Sequence, residues 1–114
     1  MADCIFCRII AHQAPADVVF EDERVVAFWD IHPLTAVHIL IVPKKHLASV
    51  NDVAEGDEAM LGHLFSVARQ VAAQQGVAHS GYRLVVNTGP NAGQGVFHIH
   101  MHLLGGQRVG RLVG

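Results

Sequence analysis

The hydrophobic pattern of this chain changes period from block to block. Val37-His38-Ile39-Leu40-Ile41-Val42 is apolar at almost every position and stops at Pro43, which predicts a central strand covered on both faces. Val18-Val19-Phe20-Glu21 and Val25-Val26-Ala27-Phe28-Trp29-Asp30 flank the polar Asp22-Glu23-Arg24, so these two runs predict a β-hairpin. His32-Pro33-Leu34-Thr35 interrupts the pattern. Leu61, Leu64, Phe65, Ala68, Val71 and Ala72 follow helical spacing and predict a long helix, capped by Asp52 and stopped at Gly76. Cys4 to Ala11 carries Ile5, Phe6, Ile9 and Ile10 on an apolar side, which predicts a short helix closed before Pro15. Tyr82-Arg83-Leu84-Val85-Val86-Asn87 reads as another strand, and the glycine-rich loop Gly89–Gly95 follows it.

Beyond that loop, His98-Ile99-His100-Met101-His102-Leu103-Leu104 alternates with the period of a strand. Three imidazoles would then share one face, neighbours about 7 Å apart, while Ile99, Met101 and Leu103 point into a core. About five strands and two helices with hairpin-like connections predict an α+β domain built on one antiparallel sheet.

The chain has 114 residues, 51% of them hydrophobic, which suits one compact domain, with a core over about 4–106 and a short tail at 107–114. No apolar run approaches the roughly 18 residues of a transmembrane helix. Met-Ala-Asp-Cys lacks the basic start and apolar stretch of a signal peptide, so a soluble, cytoplasmic protein without a membrane partner is expected. The formal net charge is -2, and the eight Lys and Arg are scattered apart from Lys44-Lys45. Polyanion binding needs clustered cations, so a nucleic acid polymer is not expected, whereas a single nucleotide is compatible.

The histidine run points to chemistry. A strand surface rarely carries three adjacent rings that titrate near pH 6.5. Imidazoles at i and i+2 can converge on a metal, so hydrolytic zinc is one reading. Nucleophilic attack on phosphorus is the other, with His100 in the middle as nucleophile, His102 toward phosphate and His98 in support. Gly93-Gln94-Gly95-Val96 can offer backbone N–H groups to an anion, and Asn87 ends the preceding strand near the same mouth. Cys4 and Cys7 are spaced to chelate, and a tetrahedral structural zinc site needs two further ligands, for which His46 and His98 are the candidates. His38 lies in an apolar strand and is expected as a hydrogen-bonded core histidine; His12, His32, His63 and His79 are expected at the surface.

The run His98-Ile-His-Met-His102-Leu-Leu resembles the signature of the histidine triad (HIT) superfamily, and the rest of the chain looks like its Hint branch. The likeness covers nearly the whole sequence, including Cys4-Ile-Phe-Cys-Arg-Ile-Ile10, Phe20-Glu-Asp-Glu-Arg24, Ala27-Phe-Trp-Asp-Ile31, Val42-Pro-Lys-Lys-His46, Tyr82-Arg-Leu-Val-Val-Asn87 and Gly93-Gln-Gly-Val-Phe-His98. It implies a homodimeric hydrolase or transferase acting on nucleoside phosphoramidates, or on other acyl- or amine-linked nucleoside monophosphates such as AMP or GMP conjugates.

On that likeness His100 forms a covalent nucleotidyl-histidine. Asn87, His102 and the backbone of Gln94, Gly95 and Val96 hold the phosphate. Phe6, Ile9, Phe28 and Ile31 line the base pocket, Asp30 grips the ribose, and Cys4, Cys7, His46 and His98 bind a structural zinc. A purine-nucleotide or partner-binding module with little turnover, and a dinucleoside polyphosphate hydrolase, are the alternatives. Two positions depart from the pattern. Hint relatives commonly have serine where this chain has Gly95, and the tail Gln107–Gly114 lacks the Trp-Pro-Pro ending of animal members.

Overall fold

The computed structural model describes residues 3–113. The apolar runs form the middle of one five-stranded antiparallel sheet. Its strands are β1 (Val18–Glu21), β2 (Val25–Trp29), β3 (Val37–Pro43), β4 (Tyr82–Val85) and β5 (Met101–Gly105), in the spatial order β1-β2-β3-β5-β4. No helix among the described residues is long and apolar enough to cross a membrane.

Alternation along the strands splits the sheet into two faces with different partners. Val25, Ala27, Ile39, Ile41, Met101 and Leu103 pack against Leu64, Val67, Ala68, Val71 and Ala72 of the long helix α2 (Glu58–Gln74). Val26, Phe28, Leu40 and Val42 face the other way and pack against Phe6 of the short helix α1 (Ile5–Ile10). His38 and His102 share the parity of this second face, so the fold directs the chemistry away from α2.

Several sequence expectations shift. Asp52 does not cap α2: it accepts the Ser49 N–H at 3.1 Å and closes a separate 3-10 turn over Val50–Asp52. The long helix starts only after Asp57, whose carboxylate accepts the Ala54 N–H at 2.9 Å and pairs with Lys45. Phe65 is 59% exposed, because it sits about 60° around the helix from Ala68, just outside the buried arc. β4 stops at Val85, two residues before Asn87. The histidine run is not all strand either. β5 begins at Met101, so His98 and His100 lie in the irregular approach, held by Ile99 N–H donating to Leu47 O at 2.7 Å.

Candidate active site and metal corner

His98 and His100 keep the expected alternation although they precede the strand. Ile99, Met101 and Leu103 are buried in the interior, while the three imidazoles form a contiguous row on the α1 side. The His100 and His102 ring centroids are 4.9 Å apart.

Hydrogen-bond partners assign the protons. A carbonyl can only accept, so His98 donates Nε2–H to Pro43 O at 2.7 Å and His100 donates Nδ1–H to His98 O at 2.8 Å. His100 Nε2 then carries the lone pair. On the other flank Leu34 N–H donates to His38 Nδ1 at 3.1 Å, which puts the neutral ring's proton on Nε2. That proton is donated to His102 Nδ1 at 2.9 Å, so the free nitrogen of His102, Nε2, bears the hydrogen. Two neighbouring imidazoles thus present opposite ends, one basic and one donating. Among the described residues neither Nε2 has a protein partner, and no buried side-chain nitrogen or oxygen lacks one, so both reach solvent.

Burial keeps these rings neutral. It lowers His38, His98 and His100 from the ordinary histidine value, and it pushes His102 down to about 4 with help from the neighbouring His100 and His38. Asp30 opposes the shift at His38, His100 and His102. A stability prediction follows with a definite sign. Unfolding releases the rings to about pH 6.5, so below that pH the unfolded chain binds more protons than the native one. The urea midpoint should fall as pH drops from about 6.5 toward 4, and His102→Asn should flatten the slope. A midpoint constant across that window contradicts neutral, buried imidazoles.

His38 is the functional candidate that sequence reasoning left as core. It is buried, as expected, but its ring spans from a backbone amide to the third histidine of the run. The available signal was a titratable ring inside an otherwise apolar strand, which demands polar partners. Asp30, His38 and His102 also gather ligand-type atoms within 4.8 Å. Binding a metal there through His38 Nε2 while Nδ1 accepts from Leu34 would require an imidazolate, so the geometry favours a hydrogen-bonded relay.

The glycine loop is pinned by one side chain. Gln94 accepts the Gly89 N–H at 2.9 Å and donates to Ala48 O at 2.7 Å and Val96 O at 3.1 Å. The Gln94 backbone N–H, expected to face an anion, is instead donated to Gly89 O at 3.1 Å. The Gly95 and Val96 amides have no acceptor among the described residues. Extending the Val85–His102 pairing would set Asn87 opposite His100. Phe6 and Phe28 are buried and packed edge-on to each other at 5.5 Å, Ile9 is half-buried beside them, and Ile31 stands 85% exposed in the β2–β3 loop. Asp30, half-buried at the start of that loop, accepts the His32 N–H at 2.8 Å. His12, His32 and His79 are exposed, whereas His63 is half-buried and lies 2.6 Å from Asp22. A concavity of about 940 Å³ between β4, the end of α2 and the tail contains none of the triad residues.

The four proposed ligands do meet. Cys4 Sγ lies 3.3 Å from His98 Nδ1, Cys7 Sγ lies 3.4 Å from His46 Nδ1 and 3.6 Å from His98 Nδ1, and the two Nδ1 atoms are 3.0 Å apart. Bond lengths of about 2.3 Å to sulfur and 2.0–2.1 Å to nitrogen give tetrahedral edges of about 3.3–3.8 Å; the three edges to sulfur fall in that range and the Nδ1–Nδ1 edge is shorter, so a small parting of the two rings lets this set hold a zinc-like ion. The bond from His98 Nε2–H to Pro43 O leaves Nδ1 bare toward the thiols, the arrangement of a ligating imidazole whose far nitrogen is held by a backbone carbonyl.

A single antiparallel sheet carrying a spaced histidine run defines a histidine triad protein, and the HIT domain profile matches residues 11–109. The chain belongs to the HIT domain family. It is 46% identical over 111 residues to a purine nucleoside phosphoramidase of Escherichia coli K12, covering 97% of this chain and 93% of that protein. The structure of a HIT family hydrolase from Legionella pneumophila superposes with a TM-score of 0.95 at 45% identity, covering 98% of this chain and 100% of that one. A zinc-bound histidine triad family protein from Mycobacterium smegmatis superposes at 0.82 with 31% identity, over 99% of this chain and 81% of that one.

Proposed function

We propose that this protein hydrolyses nucleoside phosphoramidates, or closely related acyl- or amine-linked nucleoside monophosphates, through a nucleotidyl-histidine on His100. The observation that carries this reading is the pair of complementary nitrogens: an unprotonated Nε2 on His100 beside a protonated Nε2 on His102. His100 Nε2 forms a bond to the α-phosphorus. The P–N bond breaks with its electron pair going to the amine, which takes a proton from solvent water and departs. The His98 carbonyl, already accepting from Nδ1–H, stabilises the positive charge that develops on the ring. His102 Nε2–H, the Gly95 and Val96 amides and Asn87 bind the phosphate oxygens, and Gln94 braces that loop through its side chain. Water then breaks the Nε2–P bond, releasing the nucleoside monophosphate and the neutral imidazole.

Phe6, Ile9, Phe28 and Ile31 form the base side of the site, and Asp30 takes the ribose hydroxyls. Cys4, Cys7, His46 and His98 would hold zinc, which supplies a structural tie between α1 and the triad segment. Residues 1–114 act as one HIT domain, in the cytoplasm and as a homodimer. The edge position of β4 and the exposed Val86 that follows it support a second copy docking there. Incubation with adenosine 5′-phosphoramidate should release AMP catalytically; release no faster than from a His100→Ala control would overturn the reading.

Gly95 favours one competing reading, a nucleotide-binding module with little turnover, because no side-chain hydroxyl is available at that position. A Cβ added at Gly95 meets nothing within 4 Å and the backbone needs no left-handed φ, so Gly95→Ser enters without strain. A hydroxyl beside the transferring phosphoryl should raise AMP release by about three- to tenfold, below the full effect of an oxyanion donor. Unchanged steady-state rates would mean the loop gains nothing from it.

A further inference from the structure

Cys4 and Cys7 are the chain's two cysteines, and their placement suits more than metal binding. Cys4 is the N-cap of α1, and Cys7, three residues on, donates its N–H to Cys4 Sγ at 3.4 Å. Cα atoms three residues apart at a helix start are separated by about 5 Å, inside the range of about 4.4–6.8 Å that a disulfide spans. The two Sγ atoms lie within 4.8 Å of each other and both residues are half-buried. Side-chain rotation therefore closes the gap, and a small oxidant can reach both sulfurs.

The four ligand residues come from three segments. The thiols sit at the start of α1, His46 follows β3, and His98 lies in the approach to β5. A bound ion would join all three, whereas a disulfide joins α1 only to itself. That difference bears on the nucleotide site. Six residues are too few for a helix to persist without tertiary ties, and α1 buries only Phe6. Phe6 and Ile9 on the base side depend on the corner for their place.

Resting on the structural-zinc reading above, we propose that Cys4 and Cys7 are a redox site: a hydroperoxide converts the ligand pair to a disulfide, which frees the metal and loosens the base side. Metal-bound sulfurs are thiolates, the form that peroxides oxidise. One thiolate attacks hydrogen peroxide, breaks the O–O bond and becomes a sulfenic acid as hydroxide leaves. The second thiolate attacks that sulfur, forms the S–S bond and expels the other hydroxide. Each hydroxide takes a proton from solvent, so one peroxide is reduced to two waters. A dithiol reverses the reaction by thiol–disulfide exchange.

The test treats zinc-loaded wild-type protein with a small excess of hydrogen peroxide. Both thiols should disappear, one zinc per chain should pass to a colorimetric chelator, and the intact mass should fall by two hydrogens. The AMP dissociation constant should rise about fivefold or more, because the Phe6 and Ile9 side chains must then be ordered on binding. It should match that of reduced, zinc-stripped protein, and dithiothreitol with zinc should restore the original value.

Zinc retained with both thiols intact would overturn the proposal. So would sulfinic acid or a disulfide between chains as the main product, or a disulfide form that binds AMP as tightly as the zinc form. Reduced protein that takes up no zinc would instead sink the structural-zinc reading, and the release with it.

Discussion

His100→Ala should abolish nucleotidyl transfer while leaving the fold intact. Removing the nucleophile from a covalent mechanism deletes the route, and losses of order 10⁶ in kcat are known when such a group is truncated. At least a 10⁴-fold fall in AMP release is therefore expected here. The imidazole is buried, so the variant leaves a small cavity beside Phe6 and costs some stability, which thermal unfolding measures separately. AMP should still bind, because the Gly95 and Val96 amides and His102 remain. Acid quenching should trap a nucleotidyl adduct on the wild type and none on the variant. An active His100→Ala protein, or an adduct on another residue, would remove His100 from the centre of the mechanism.

His102 makes a graded comparison. Its Nδ1 accepts from His38 and its Nε2–H has no protein acceptor among the described residues, so asparagine at this position replaces one donor with another of different reach. A donor aimed at a developing oxyanion contributes about 10²–10³ in rate. The loss at His102 should accordingly stay well below that at His100.

Much of this was legible in the chain because a few residue types tolerate few environments. The apolar run from Val37 to Val42 had to be an inner strand, and Met101 and Leu103 had to face a core, so the alternation placed the imidazoles on the opposite side. What sequence could not supply were facts of distance. Nothing local tells that Ser49 would take Asp52 for its own turn, which is why the start of α2 came out five residues late. Phe65 matches the helical repeat yet lies at its margin, and only the width of the sheet beneath decides that it is exposed. His38 was read as core because its partner, 64 residues away, becomes a neighbour only through the β3–β5 pairing. The tautomers needed Pro43 O, His98 O and Leu34 N, backbone atoms that no motif specifies.

Removing the metal should loosen the fold before it stops the chemistry. Without an ion, the Nδ1 atoms of His46 and His98 face each other at 3.0 Å beside two thiols, and His98 is fully buried. Structural zinc contributes about 10–16 kcal/mol in small peptides that fold around it. Here the sheet and α2 form a core of their own, so a smaller share is at stake. Even about 3 kcal/mol is a large part of a typical 5–15 kcal/mol domain stability, and it corresponds to a fall of about 12–24 °C in Tm.

Protein purified without added metal should contain one zinc per chain. A chelator should lower Tm by that amount, and stoichiometric zinc, but not magnesium, should restore it, since two thiolates and two imidazoles suit the softer ion. Below the lowered Tm, residual AMP release should persist at a reduced rate, because the His100 lone pair belongs to the chain. A zinc-centred hydrolysis through His98 and His100 requires the opposite order, with activity lost while Tm is unchanged. Protein that contains no metal as purified and ignores the chelator would sink the structural-zinc assignment and leave the His100 chemistry to stand on the histidine relay alone.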